Sequence, residues 1–225
     1  MDALDHLAGP AADLLGRVDD LLAEAGVPAG HPIWPLLGRV RALPGAALDA
    51  VVALRPEPLV AAAAALRGLI PAYDDAAAAL TVDVAWEGAG AEAFASRRAA
   101  LSEHLTGGSE SLAERLEASA AYLDAVADWV SASRAALART LAEVLGSAEA
   151  VMVVIGPVGP AASASALSRP AAAAQLGARV LATVAELHDR GEALRQQWGG
   201  RLVELAFRPP AAAGGRFDGV SRIAL

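Results

Sequence analysis

Two long stretches of this chain repeat apolar side chains every seven residues, in steps of four and three, with some of these positions skipped in the second stretch. This spacing averages about 3.5 residues and draws one apolar stripe along an α-helix, which another helix must cover. The first stretch carries Leu59, Ala63, Leu66, Ile70, Tyr73, Ala77 and Leu80. The second carries Phe94, Leu101, Leu105, Leu112, Leu116, Leu123, Val126, Val130, Leu137, Leu141 and Val144. The pattern therefore predicts two amphipathic helices that pack against each other in antiparallel orientation.

The segment between the two stripes is Trp-Glu-Gly-Ala-Gly-Ala-Glu-Ala-Phe, residues 86–94. Gly88 and Gly90 supply backbone freedom where the chain must reverse, because glycine tolerates the positive φ angles that other residues resist. Residues 81–90 are therefore predicted to form the bend of a helical hairpin. Trp86 is too large and apolar to be left in solvent at a turn without a reason, so it either plugs the end of the bundle or contacts a partner.

A break is predicted within the second stripe, where the sequence reads Thr-Gly-Gly-Ser over residues 106–109. Two glycines destabilise a helix by about 2 kcal/mol relative to alanine. A kink or a short interruption is therefore expected. Ser111 and Glu114 have the spacing of a capping box that would restart the helix.

Two amphipathic helices joined by a Trp-x-Gly turn, with Ala-Glu-Ala-Phe opening the second helix, resemble the WXG family. Its members are small helical-hairpin substrates and partners of type VII (ESX) secretion in actinobacteria and firmicutes. The resemblance covers about residues 58–145, under half of the chain, and is carried by Trp86, Gly88 and Phe94. It implies a non-enzymatic protein that packs its helices on a small WXG protein, on the secretion machinery or on itself. Those three residues are then the implied interaction motif.

This chain departs from the family at one point. Many secreted members carry a Tyr-x-x-x-Asp/Glu signal after the second helix. Here Tyr122 is followed four residues later by Val126, and Tyr73 by Ala77, so the signal is absent in that form.

The composition favours helices and argues against nucleic acid as a partner. Of 225 residues, 55% are hydrophobic and only 4% aromatic. Alanine dominates, and it has the highest helix propensity. The net charge of -8 opposes binding to phosphates, which requires clustered Lys and Arg. The absence of cysteine excludes disulfides and thiolate metal sites.

Neither a signal peptide nor a membrane span is expected. The first five residues include two acidic ones, Asp2 and Asp5, and no basic one, whereas a signal peptide would begin with basic residues. The longest uncharged run, residues 150–167, contains Pro157 and Pro160 and is shorter than the about 20 apolar residues that a span needs. We therefore expect a protein that is cytoplasmic when synthesised, with any export following a signal-peptide-independent type VII route.

Further helices are predicted on both sides of the hairpin. Residues 2–25 have the pattern of an amphipathic helix, whose apolar face carries Leu4, Leu7, Ala11, Leu14, Val18, Leu21 and Ala25. Four acidic side chains are predicted to face outward: Asp13, Asp19, Asp20 and Glu24. A Pro- and Gly-rich connector that cannot be helical follows over residues 26–35, with Trp34 anchoring it on the bundle. A short helix is predicted over residues 46–54 and a last one over residues 171–207.

These elements predict an all-α fold, an elongated antiparallel bundle built on a WXG-type helical hairpin with extra N- and C-terminal helices. The extra helices are placed to cover the hairpin in cis. The predicted segments are an N-terminal helical segment (1–54), the hairpin (55–156), a C-terminal helix packing on the bundle (157–208) and a flexible tail (209–225).

Two short patterns leave alternatives open. The β-branched run over residues 151–155 is either the buried end of the long helix, which is preferred, or a short strand. A second Trp-x-Gly at Trp198, with Phe207 nine residues on, is either a degenerate hairpin or a coincidence. Too little chain remains for a full returning helix, so coincidence is favoured. Trp129 is predicted to lie in the core.

No set of residues in the sequence predicts catalysis, a cofactor or a metal. Residues 88–93 fit a loose dinucleotide fingerprint, but that motif follows a strand, and here a predicted helix precedes it. The histidines at positions 6, 31, 104 and 188 lack the spacings of a di-iron bundle. The acidic residues at positions 110, 114, 117, 124 and 128 indicate a solvated helix face. The alternatives to a secretion-associated protein are a membrane-active or toxin-associated helical module, in which residues 150–167 insert, and a cytoplasmic scaffold.

Overall fold

The computed structural model describes residues 1–25, 30–81, 85, 87–155 and 168–205. All regular secondary structure in these residues is α-helical, which confirms the predicted all-α class. The helices are α1 (Ala3–Ala25), α2 (Ile33–Val40), α3 (Pro44–Ala53), α4 (Glu57–Ala79), α5 (Ala89–Thr106), α6 (Leu112–Leu145), α7 (Ala148–Ile155) and α8 (Arg169–Glu204).

The chain forms two compact units whose boundaries fall within helices. Unit 1 comprises Met1–Ala61 and Leu123–Gly199, and unit 2 comprises Ala62–Tyr122 and Gly200–Leu225. Unit 1 therefore joins the N-terminal helices to the later part of α6, to α7 and to most of α8. Unit 2 holds most of α4, all of α5 and the beginning of α6.

Unit 1 contains a core of large aliphatic side chains. Helix α1 contributes its predicted apolar face to this core, with Leu4, Ala11, Leu14 and Val18 all buried. Other fully buried members are Leu15, Ile33, Leu48, Leu137, Leu141, Val144, Val153, Leu176 and Leu181. Burial of a side chain of this size stabilises a fold by about 1.5–3 kcal/mol, so this core dominates the stability of unit 1.

Close packing around α8 requires glycine at Gly177. A Cβ added there would lie 2.9 Å from Ile33 Cδ1 and 3.0 Å from Pro44 Cγ. The absence of a side chain at Gly177 therefore lets α8 approach the beginnings of α2 and α3 in unit 1.

A buried guanidinium ties α6 to α1 and α3. Arg134 is 1% exposed. Its Nη1 donates to the carbonyls of Val52 and Leu54, each at 2.9 Å, where α3 ends. Its Nε lies 2.6 Å from Asp2 Oδ2, and its Nη2 lies 2.6 Å from Asp5 Oδ1. The buried charge is therefore both neutralised and hydrogen-bonded, as burial of a cation requires.

The same two aspartates cap the first turn of α1. The Asp5 N–H donates to Asp2 Oδ1 at 3.0 Å, and the Asp2 N–H donates to Asp5 Oδ2 at 3.1 Å. This reciprocal arrangement is a capping box in which both members are carboxylates. The hydrogen bond from Arg134 lowers the pKa of Asp2 to about 2.

The predicted connector is partly helical, which corrects the sequence interpretation. Helix α2 begins at Ile33, so Trp34 and Pro35 lie in its first turn, where proline is tolerated because its missing N–H needs no helical acceptor. Ile33, fully buried, anchors this segment, whereas Trp34 is 49% exposed. Residues 26–29 lie outside the described residues.

The prediction that four acidic residues of α1 face outward is wrong for one of them. Asp13, Asp20 and Glu24 are exposed as predicted, but Asp19 is half-buried. Its Oδ2 accepts a hydrogen bond from the Gly45 N–H at 3.1 Å. The position of α3 decides this, and no periodicity within α1 encodes it.

The long second stripe is divided between helices, with breaks at glycine-containing segments. The predicted interruption at residues 106–109 separates α5 from α6, with Gly108 at φ +82°. Ser111 Oγ then accepts the Glu114 N–H at 3.3 Å, which is the serine half of the predicted capping box. The Ser111 N–H donates to the Gly108 carbonyl at 3.2 Å and not to the Glu114 side chain. A second, unpredicted break ends α6 at Leu145, and Ser147 Oγ accepts the Ala150 N–H at 3.2 Å. Residues 151–155 are therefore helical, but in the separate helix α7.

Trp129 and Trp198 lie within the long helices α6 and α8. Trp198 and the two following glycines are part of α8, so this second Trp-x-Gly forms no turn. Phe207 lies outside the described residues. Trp129 is half-buried, and its Nε1 donates to the Leu187 carbonyl at 3.2 Å. A Cβ on Gly191 would lie 2.9 Å from Trp129 Cζ2, so the indole packs directly on the backbone of α8.

Candidate protein-interaction site

Helix α4 buries the face that its sequence predicts. Each of the seven stripe positions from Leu59 to Leu80 is buried or half-buried. Among the remaining residues of α4, only Arg67 is not exposed. The periodicity of the sequence therefore determined which side of this helix packs.

Unit 2 nevertheless buries only small or polar side chains among its described residues. The fully buried residues there are Ala63, Ala77, Ala118, Ala120, Ser111 and Arg115. The larger stripe residues stay half-buried, namely Leu66, Ile70, Tyr73, Leu105, Leu112 and Leu116. Since hydrophobic stabilisation scales with the apolar area removed from water, covering the part of these side chains that is still exposed would stabilise unit 2 further.

Helix α5 is the most exposed element of unit 2. None of its 18 residues is buried. Phe94 and Leu101, both on the predicted stripe, are 46% and 36% exposed. Most helical stability in proteins comes from packing of an apolar face, so α5 has a face that a further helix would stabilise.

The bend between α4 and α5 depends on one glycine. Gly88 lies at the N-cap of α5 with φ +101° and ψ 176°, a backbone conformation essentially restricted to glycine. Its carbonyl accepts the N–H groups of Ala91 and Glu92, at 2.9 and 3.2 Å. Gly90, also predicted to provide turn freedom, lies inside α5. Trp86 lies outside the described residues.

Arg98 joins the two helices at this bend, a contact that was not predicted from the sequence. Its Nε donates to the Leu80 carbonyl at 2.5 Å, and its Nη2 donates to the same oxygen. This satisfies one of the carbonyls that the end of α4 leaves without a helical partner. The Arg98 guanidinium also lies 5.6 Å from the centre of the Phe94 ring, within the range of a cation–π contact.

The spacing of Phe94 and Arg98, one helical turn apart, was visible in the sequence. The acceptor, 18 residues away at the end of the preceding helix, was not. Beside this contact is an open cavity of about 520 Å³ lined by small residues that include Thr81, Ala95 and Ser102. The bend therefore combines an exposed aromatic ring, a fixed cation and a shallow recess.

A second ionic contact links α4 to α6 within unit 2. Arg67 Nε lies 3.1 and 3.2 Å from the two carboxylate oxygens of Glu117. Both side chains are partly exposed, so the pair contributes at most about 1 kcal/mol. It gives Glu117 an ion-pair partner, whereas the sequence predicted a purely solvated side chain there.

Within the described residues, no group of three or more His, Asp or Glu side chains is placed to hold a metal ion. In the same part of the chain, no helix is both long and apolar enough to cross a membrane. No family model, no curated protein and no solved structure matches this chain.

Proposed function

We propose that this protein is a non-enzymatic helical interaction module, similar to WXG-type substrates or partners of type VII secretion, and that unit 2 binds a helical hairpin of a protein partner. The observation that carries the proposal is the incomplete core of unit 2. Its buried residues are small or polar, while its larger apolar side chains remain partly in water.

The partner that fits this surface is itself a two-helix hairpin with an apolar stripe. Such a hairpin would add helices alongside α5 and α6 and remove the half-buried leucines from water, as in other helix-in-groove complexes. Phe94 and Leu101 would become buried anchors, and Trp86 is the third apolar residue proposed for the same interaction. Aromatic anchors of this kind supply much of the binding energy in helical interfaces.

The charge of unit 2 favours a partner with basic residues beside its apolar stripe. Acidic residues outnumber arginines in the described part of unit 2. A partner with arginine or lysine at the edges of its stripe would associate faster and in one register, because charges at the rim of an interface set on-rate and specificity.

The test is co-expression of the full chain with a small WXG hairpin protein, followed by size-exclusion chromatography with light scattering. The expected result is a stable one-to-one complex. Leu101→Glu, which puts a charge into the stripe of α5, is expected to weaken the complex at least tenfold. Val151→Glu is the matched control, because Val151 is a similarly exposed apolar residue of unit 1.

Two outcomes would contradict the proposal in different ways. A homodimer that Leu101→Glu disrupts would mean that a second copy of this chain, and no other protein, covers α5. A monomer that binds no hairpin protein and whose behaviour Leu101→Glu leaves unchanged would refute the docking surface altogether.

A second candidate, a membrane-active module, is favoured by one observation in unit 1. Helix α7 exposes Val151, Val154 and Ile155 by 54%, 47% and 66%. They line a groove that also includes Pro10 and Arg17 of α1. This candidate predicts leakage of dye from anionic vesicles that Val154→Asp abolishes, and intact vesicles at micromolar protein would rule it out. The remaining residues of the proposed inserting segment, 156–167, lie outside the described residues.

A further inference from the structure

The beginning of α3 is capped by a residue of another helix. Its N-cap is Leu43, which has no side-chain acceptor, and Pro44 at the next position has no N–H to donate. The next amide, that of Gly45, donates to Asp19 Oδ2 of α1 at 3.1 Å. A Cβ on Gly45 would lie 2.7 Å from that oxygen, so glycine is needed for the approach. Asp19 thus takes the role that a serine or aspartate N-cap usually fills.

The other oxygen of the same carboxyl group is poorly accommodated. Asp19 Oδ1 is buried and has no hydrogen-bond partner among the described residues. A buried carboxylate oxygen without a donor is costly, and protonation of that oxygen reduces the cost. Neighbouring charges act in the same direction, since Asp20 of α1 and Asp49, the single charged residue of α3, are both acidic. Glu149, the charged residue of α7, is paired with Arg179 at 3.2 Å.

Two effects oppose protonation of Asp19, and they are the weaker ones. The Gly45 N–H and the positive end of the α3 helix dipole both favour the ionised carboxylate. Desolvation is larger, and the two neighbouring aspartates add to it, so the pKa of Asp19 is raised to about 6. The other aspartates of α1 do not combine burial with two acidic neighbours in this way.

We propose that the Asp19 carboxyl group makes the joint between α1 and α3 pH-sensitive, and that the packing of these two helices is stabilised when this group takes up a proton in mildly acidic solution. Protonation at Oδ1 leaves Oδ2 free to accept the Gly45 amide and removes the repulsion from Asp20 and Asp49. The packing of the N-terminal helices therefore responds to pH through one side chain. This inference is independent of the proposed function, because it lies wholly in unit 1.

The direction of the effect follows from proton linkage. Between the ordinary pKa of an aspartate, 3.8, and about 6, the folded protein binds a proton that the unfolded chain has released. Stability is therefore highest below this window and falls as the pH rises through about 6. With pKa values of 3.8 in the unfolded chain and about 6 in the folded protein, the unfolding equilibrium constant is expected to increase about tenfold from pH 5 to pH 7.5 through this residue.

The direct measurement is a carbon-13 NMR titration of the side-chain carboxyl groups of the full chain, with the amide of Gly45 followed in parallel. Both signals are expected to titrate with a midpoint near pH 6. An Asp19 midpoint near pH 4 would overturn the proposal, and this readout needs no variant to fold.

Urea unfolding of three proteins provides the energetic test. Asp19→Asn retains an acceptor for the Gly45 N–H but cannot be charged. The difference in unfolding free energy between wild type and this variant therefore reports Asp19 alone, because any contribution from the histidines is common to both proteins and cancels. That difference is expected to change about tenfold in equilibrium constant between pH 5 and pH 7.5. Asp13→Asn, at an exposed position of the same helix, should follow the wild-type profile. Parallel profiles for wild type and Asp19→Asn would refute the joint.

Discussion

Replacement of Arg134 by methionine is expected to destabilise unit 1 more than any surface substitution. Methionine has a similar length and removes the charge without leaving a large cavity. The variant leaves the Val52 and Leu54 carbonyls at the end of α3 without the donor that Arg134 provides at 2.9 Å to each. It also removes the cation between Asp2 and Asp5.

The magnitude can be estimated from these groups. A buried carbonyl that loses its donor costs about 1–3 kcal/mol. The two aspartates can turn towards water, since Asp2 has 46% of its side chain exposed, and their loss is correspondingly smaller. The sum agrees with the about 3–5 kcal/mol that removal of one partner from a buried ion pair typically costs.

The assay is urea denaturation followed by far-UV circular dichroism. Arg139→Met, at an exposed position of the same helix, is the control and should change the free energy of unfolding by less than about 0.5 kcal/mol. Acid provides a second readout. Because Arg134 lowers the pKa of Asp2 to about 2, the stability from this contact is present above pH 3.8 and is lost as the pH falls through about 2. Arg134→Met should not show this loss of stability in acid. A cost below about 1 kcal/mol would refute the reasoning.

Three further substitutions test other parts of the fold. Gly177→Ala should destabilise unit 1 by about 1–3 kcal/mol through overpacking, whereas Gly199→Ala, with open space around it in the same helix, should be neutral or stabilising in urea denaturation. Gly88→Ala should cost about 1–3 kcal/mol because of its positive φ, and Gly90→Ala should not; equal effects would contradict the described bend. Trp86→Ala should abolish capture of the hairpin partner with a Tm within a few degrees of wild type, and a large loss of stability with intact binding would assign Trp86 to the core instead.

The sequence determined the helices and their packed faces because both depend on local information. Steps of three and four residues correctly marked the seven packed positions from Leu59 to Leu80. In α1 they marked four buried residues, Leu4, Ala11, Leu14 and Val18, but missed the buried Leu15 and Leu22. The glycines at 107 and 108 marked the break in the second stripe, and Ser111 marked the restart of the helix. Helix propensity, capping and periodicity act over a few residues, so a single sequence contains them in full.

Tertiary structure alone decided how completely each stripe is covered. Leu137, Leu141 and Val144 belong to the same predicted stripe as Phe94 and Leu101, yet the first three are fully buried and the last two are exposed. Only part of the candidate interaction surface could therefore be predicted from the sequence. Phe94 and Gly88 came from a local pattern, whereas Arg98 depends on the position of the Leu80 carbonyl.

The same holds for the charged residues inside unit 1. In the sequence, Arg134 is one more arginine in an alanine-rich helix, and Asp19 is one of several acids on an amphipathic one. Arg134 is buried because Asp2, 132 residues earlier, and the end of α3 surround it with acceptors. Asp19 is half-buried because α3 begins against it. Burial of a charge depends on what distant segments bring to it, and no periodicity encodes that contact.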